Sequence, residues 1–170
     1  MAQDCIDELG KRPLFDETDS VLKALSQNYT IGIASHADNS FLHPVIERIK
    51  INLAVVVSSE DVQSYKPMPD IFEESLKILK VNASEVVYVG DRQYEDVEGP
   101  TSVGMKAVWV NRKNEPVNPN LHRPYAEITD FTSHSRPSSW RLAWWGWAEC
   151  GSRKKIVSRM LLSEIIFPMV

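Results

Sequence analysis

Residues 85–96 read EVVYVGDRQYED: a short run of valines and a tyrosine, then Gly90, then Asp91, Glu95 and Asp96 in quick succession. A near-continuous β-branched run suits a strand buried on both faces. Gly90 permits a tight exit, and the carboxylates then follow the strand's carboxyl end. Three more runs of the same kind lie at Tyr29–Ser35 (YTIGIAS), Leu53–Ser58 (LAVVVS) and Lys106–Asn111 (KAVWVN). Helical periods separate them at about 39–49, 69–79 and 94–103. This alternation predicts an α/β fold with a parallel sheet and crossover helices.

The middle helix is the clearest. Pro69 suits its first turn, and Phe72, Leu76 and Leu79 make one apolar stripe. Asp70, Glu73 and Glu74 favour its amino end, Lys77 and Lys80 its carboxyl end.

With 170 residues, 43% hydrophobic and 25% charged, the chain can bury one ordinary core without a metal or disulfide scaffold. Its formal charge of -4 argues against a general grip on nucleic acid. Cys5 and Cys150 are too far apart in sequence for a Cys-x-x-Cys site, which fits a reducing, cytoplasmic setting. The opening MAQDCIDELGKR is acidic where a signal peptide is basic then apolar, and no apolar run approaches the ~18 residues of a spanning helix.

The charge is uneven. Residues 132–170 hold six basic side chains against two acidic ones, a net of +4, which leaves -8 for residues 1–131. The same segment holds Trp140, Trp144, Trp145 and Trp147, four of the five tryptophans. This shift predicts a boundary near residue 131.

In an open parallel sheet, reactive groups gather beyond the carboxyl ends of the strands. The first strand ends in Ser35-His36, a hydroxyl beside the start of a helix. The second leads to Lys66 between Tyr65 and Pro67, with Pro69 close behind, so that two prolines stiffen the lysine's loop. The third ends in Gly90-Asp91, with Glu95 and Asp96 following, hard oxygen donors that suit Mg²⁺. Singly, each has a plain structural explanation: a helix cap, a solvated lysine, a turn. In combination, a hydroxyl, a lysine and an acidic cluster follow three strands of one sheet in that order.

Three stretches carry a family resemblance. Ile31-Gly32-Ile33-Ala34-Ser35-His36 is similar to the second motif of the haloacid dehalogenase-like (HAD) hydrolases, with His36 where Asn is usual. Ser58–Val62 followed by Tyr65-Lys66-Pro67-Met68-Pro69-Asp70-Ile71-Phe72 resembles the third. Val87 through Asp96, with Val97, Gly99 and Gly104-Met105, resembles the fourth. The likeness runs from about Asp16 to Phe131.

It implies a Rossmann-like three-layer core and Mg²⁺-dependent phosphatase chemistry on a small phosphorylated metabolite. It further implies that Ser35 and Lys66 are catalytic, that Ser35, His36 and Lys66 bind the phosphoryl group, and that Asp91 and Asp96 serve the metal. Glu95 stands where relatives often have Asn or Asp. A haloacid dehalogenase is the less favoured activity, because those relatives usually lack the Gly-Asp pair.

Family members begin with a strand ending in Asp-x-Asp-x-Thr, whose first Asp is the nucleophile. No such motif precedes Ser35; Asp16 and Asp19 fall in LFDETD, which reads as part of a helix with Val21, Leu22 and Leu25 buried. The expectation is therefore a core incomplete at the N-terminus, lacking the first strand and the cap, and inactive alone. Loss of a central strand should leave a groove or an exposed edge.

The tail departs from the family as well. It reads as an altered frame or alternative C-terminus in preference to an interaction segment, since Leu161, Leu162, Ile165 and Ile166 make only a short helical stripe. Self-association or partner contact through 132–170 is the other expectation. A non-catalytic phosphate or Mg²⁺ binding module is the alternative to the enzyme.

Overall fold

The computed structural model describes residues 14–131 and the backbone of residues 159–162. Cys5, Cys150 and the four tail tryptophans lie outside the described residues.

The described strands are β1 (Thr30–Ser35), β2 (Val55–Ser58), β3 (Val86–Gly90), β4 (Lys106–Val110), β5 (Ala126–Ile128) and β6 (Arg159–Leu162). They form one sheet in the order β2-β1-β6-β3-β4-β5, with every neighbouring pair parallel. The helices are α1 (Thr18–Ser26), α2 (Asn39–Ile46), α3 (Ser59–Val62), α4 (Asp70–Leu79) and α5 (Gly99–Ser102).

Burial on both faces explains the unbroken valine runs. Val87 and Val89 of β3 join a cluster with Leu22 of α1 and Leu42 and Val45 of α2. Val86 and Tyr88, one residue out of phase, join Ile71 and Phe72 of α4 on the opposite face. This alternation is the period of a strand, and it gives three layers with the sheet in the middle.

The first four strands lie within two residues of their sequence-based bounds. The helix expected over 94–103 instead has a wide π turn at Gln93–Glu98 before α5 begins at Gly99. Such wide turns are frequent at functional sites. β5 lies in a stretch for which no strand was expected.

The expected groove or exposed edge is not seen between β1 and β3, where β6 is inserted. Leu162 of β6 pairs in register with Ile33 on one side and Val89 on the other. Residues expected to carry a helical stripe, Leu161 and Leu162, are in a strand. A parallel strand there satisfies backbone groups of two neighbours at once, which overrides a weak local period. Part of the compositionally distinct segment 132–170 thus belongs to the centre of the sheet. Among the described residues, no helix is long and apolar enough to cross a membrane.

Candidate functional site

The loops leaving β1, β2 and β3 at their carboxyl ends meet around Lys66. This side chain is only 4% exposed, and its Nζ stands 2.5 Å from Asp96 Oδ1. Nζ also donates to the Tyr88 hydroxyl at 3.2 Å, and that hydroxyl donates to the Ala34 carbonyl at 3.1 Å. The other Asp96 oxygen accepts the Arg92 backbone N–H at 3.1 Å. Burial alone pushes the Lys66 pKa down, but Tyr88 and Asp96 outweigh it and hold the pKa above the usual lysine value. The group is an ammonium at any physiological pH.

Local packing fixes this loop. A Cβ on Gly99 would stand 2.7 Å and 2.8 Å from two Phe72 ring carbons and 3.0 Å from the Pro67 Cα. Only glycine lets α5 approach α4 and the residue after Lys66 so closely.

At the tip of β1, Ser35 is half-buried and its Oγ accepts the Ala37 N–H at 3.3 Å. His36 turns its Nε2 to the Lys66 backbone N–H, which donates to it, and its ring meets the Tyr65 ring edge-on at 5.5 Å. Burial first, then the Lys66 ammonium, lowers the His36 pKa below the ordinary histidine value. Nε2 accepts, so the neutral ring carries its proton on Nδ1.

Asp91 differs from Asp96. Its carbonyl accepts the indole N–H of the fully buried Trp109 at 2.8 Å, which anchors the residue to β4. Its carboxylate Oδ1 is buried with no hydrogen-bond partner. Burial, and secondly the charge of Asp96, raise the Asp91 pKa above the usual carboxylate value.

An orphaned hard oxygen of this kind fits Mg²⁺, which takes one or two carboxylates and fills its remaining positions with water or phosphate oxygens. Asp96, expected beside it as a ligand, has both oxygens engaged by Lys66 and Arg92. Among the described residues, no group of three His, Cys, Asp or Glu side chains converges on a metal position. Glu95 pairs with Arg92 at 3.5 Å.

Of the residues singled out in the sequence, Lys66, Asp96 and His36 are in one hydrogen-bonded network, with Ser35 and Asp91 at the adjoining strand tips. Tyr88 and Trp109 were missed. Each is a polar-tipped aromatic within an otherwise apolar strand, and such side chains find a partner when buried.

The fold and this crevice define a three-layer α/β protein with a fixed cation, a strand-tip hydroxyl and an unmet carboxylate at the carboxyl edge of a parallel sheet. The chain belongs to the haloacid dehalogenase-like hydrolase family, whose model matches residues 5–110. It is 33% identical over 120 residues to a glyceraldehyde 3-phosphate phosphatase of Pyrococcus furiosus, covering 69% of this chain and 49% of that protein. Among solved structures it resembles an HAD phosphatase from Thermococcus onnurineus, with a TM-score of 0.59, 31% identity, and coverage of 70% of this chain and 55% of that one. A 2-haloacid dehalogenase from Pseudomonas syringae pv. Tomato DC3000 gives a TM-score of 0.63 at 30% identity, covering 78% and 54%. The chain spans between about a third and a half of the length of the first curated relatives it matches.

Proposed function

We propose that this chain carries the phosphate- and metal-binding part of an HAD phosphatase acting on a small phosphorylated metabolite. The observation that carries the reading is the buried, partnerless Oδ1 of Asp91 beside the network that holds the Lys66 ammonium. Lys66 would neutralise charge on the phosphoryl group while Asp96 and Tyr88 keep its Nζ in place. The Ser35 hydroxyl, which accepts from Ala37, still has its proton to donate to a phosphoryl oxygen. Mg²⁺ at Asp91 would supply the remaining positive charge, in line with the charge cancellation that phosphoryl transfer requires. The phosphatase relatives support this choice of substrate class.

No Asp-x-Asp-x-Thr stretch occurs in residues 1–170, so the chain alone is expected to bind without turnover. The cysteine usage fits a cytoplasmic setting. The change in composition near residue 131 supports a first unit, 1–131, and a second, 132–170, from which β6 lends the sheet a strand.

The test is phosphate release from an aryl phosphate by the purified chain, with Mg²⁺ and with chelator, beside Asp91→Asn. Mg²⁺ binding without release is the expected result. Release that needs both Mg²⁺ and Asp91 would support the phosphatase and overturn the inactivity. Chloride release from a 2-chloro acid, indifferent to chelator, would replace the phosphatase with a dehalogenase. Absence of both turnover and Mg²⁺ binding would overturn the reading.

A further inference from the structure

His36 follows the tip of β1, and the structure gives it a bond that the sequence did not suggest. Its Nε2 accepts the Lys66 backbone N–H, across thirty residues of sequence. Lys66 is thereby tied to the end of β1 twice. The ring of His36 holds its backbone, and Tyr88 links its ammonium to the carbonyl of Ala34.

We infer that His36 is a positioning residue that sets Lys66 in the crevice only while its ring is neutral. This rests on the crevice being a phosphate site, and it gives that site a regulator.

The physical case is one of donors and acceptors. Only an unprotonated Nε2 can accept from the Lys66 N–H. Protonation would set two N–H donors against each other, with the Lys66 ammonium attached to the same residue. The groups whose charge His36 feels are Lys66 and Arg92, which oppose protonation, and Asp96 and Glu95, which favour it. Burial adds to the opposition, and the sum favours the neutral ring. Asp96 and Glu95, which favour the charge, already pair with Lys66 and Arg92. The sign follows. A histidine whose pKa is lowered by folding contributes its full stability above the ordinary histidine value, and that contribution is lost as pH falls from there through the lower folded value.

The test uses the full chain, its His36→Gln and His36→Ala variants, and sulfate as the anion probe, a dianion throughout the range used. Gln keeps a neutral acceptor that does not titrate; Ala keeps none. In the parent chain the Lys66 amide resonance should titrate with the same midpoint as the His36 ring, below about 6.5. Sulfate affinity should fall about three- to tenfold between pH 8 and pH 5, the size of one lost hydrogen bond. His36→Gln should bind sulfate with no dependence on pH and more tightly than His36→Ala. His36→Ala should bind weakly at both pH values, with circular dichroism confirming that it folds.

Affinity that rises on acidification would make His36 a direct anion ligand and overturn the inference. So would a Lys66 amide indifferent to the His36 titration, or a His36→Gln chain no better than His36→Ala. If the amide follows His36 while sulfate binds at no pH, the positioning bond stands and the phosphate reading falls.

Discussion

The inner and outer parts of the crevice treat their carboxylates in opposite ways. Inside, Asp96 is fully buried and both its oxygens have protein partners, one of them the Lys66 ammonium. At the strand tip, Asp91 keeps one buried oxygen with none, and burial raises its pKa. They lie five positions apart in sequence, yet one is part of the structure and the other is paid for by it. The difference teaches where to look for function in a polar cluster: satisfied pairs hold the frame, and the unmet atom is the candidate to meet a ligand.

Three changes sharpen or break this contrast. The largest effect is expected from Lys66→Met, which leaves Asp96 buried with no cation. Removing one partner of a buried pair costs about 3–5 kcal/mol, to be read from the urea midpoint. A double variant, Lys66→Met with Asp96→Leu, should recover most of that loss; a double variant as unstable as the single one would mean the pair is not what holds the loop.

Gly99→Ala comes next. Its methyl group would press on Phe72 and Pro67, and overpacking of this kind costs about 1–3 kcal/mol. Thermal unfolding of this variant should show the loss, and an unchanged transition would mean that α5 has room to shift.

The smallest effect, and of opposite sign, belongs to Asp91→Asn. A carboxyl whose pKa is raised by folding destabilises the fold once it ionises, so this variant should be more stable than the parent at pH 7 without metal. The gain should shrink as pH falls towards the ordinary aspartate value, where both chains carry a neutral group. Mg²⁺ should raise the melting temperature of the parent chain and leave the variant unmoved. A metal response in the variant would place the ion elsewhere.

Much of this was legible from local pattern. β1 through β4 announce themselves by β-branched runs, and Ser35, Lys66, Asp91 and Asp96 by their place after three of those strands. What lay beyond reach was pairing at a distance. Nothing near Tyr88 says that its hydroxyl will bridge Lys66 and Ala34, 22 and 54 residues away. Nor does anything near His36 say that its ring will accept from the Lys66 amide. Residues 159–162 were misread for the same reason, since a four-residue apolar stretch has no decisive period and its identity as a strand comes from β1 and β3. The absent nucleophile motif was plain in the sequence; that another segment would take up a central position in the sheet was not.

That central position has a consequence for how the molecule is made. β1 and β3 emerge from the ribosome well before the strand that joins them, for Thr30 pairs with Arg159 and Val86 pairs with the same residue. Until that residue is synthesised, the described strands fall into two groups, β2-β1 and β3-β4-β5, whose facing edges β6 does not yet join. Contacts of such long sequence separation form slowly, and unpaired edges are open to wrong partners meanwhile. A polypeptide cut before residue 159 would lack the strand that joins them, leaving the inner edges of β1 and β3 open to whatever strand arrives first.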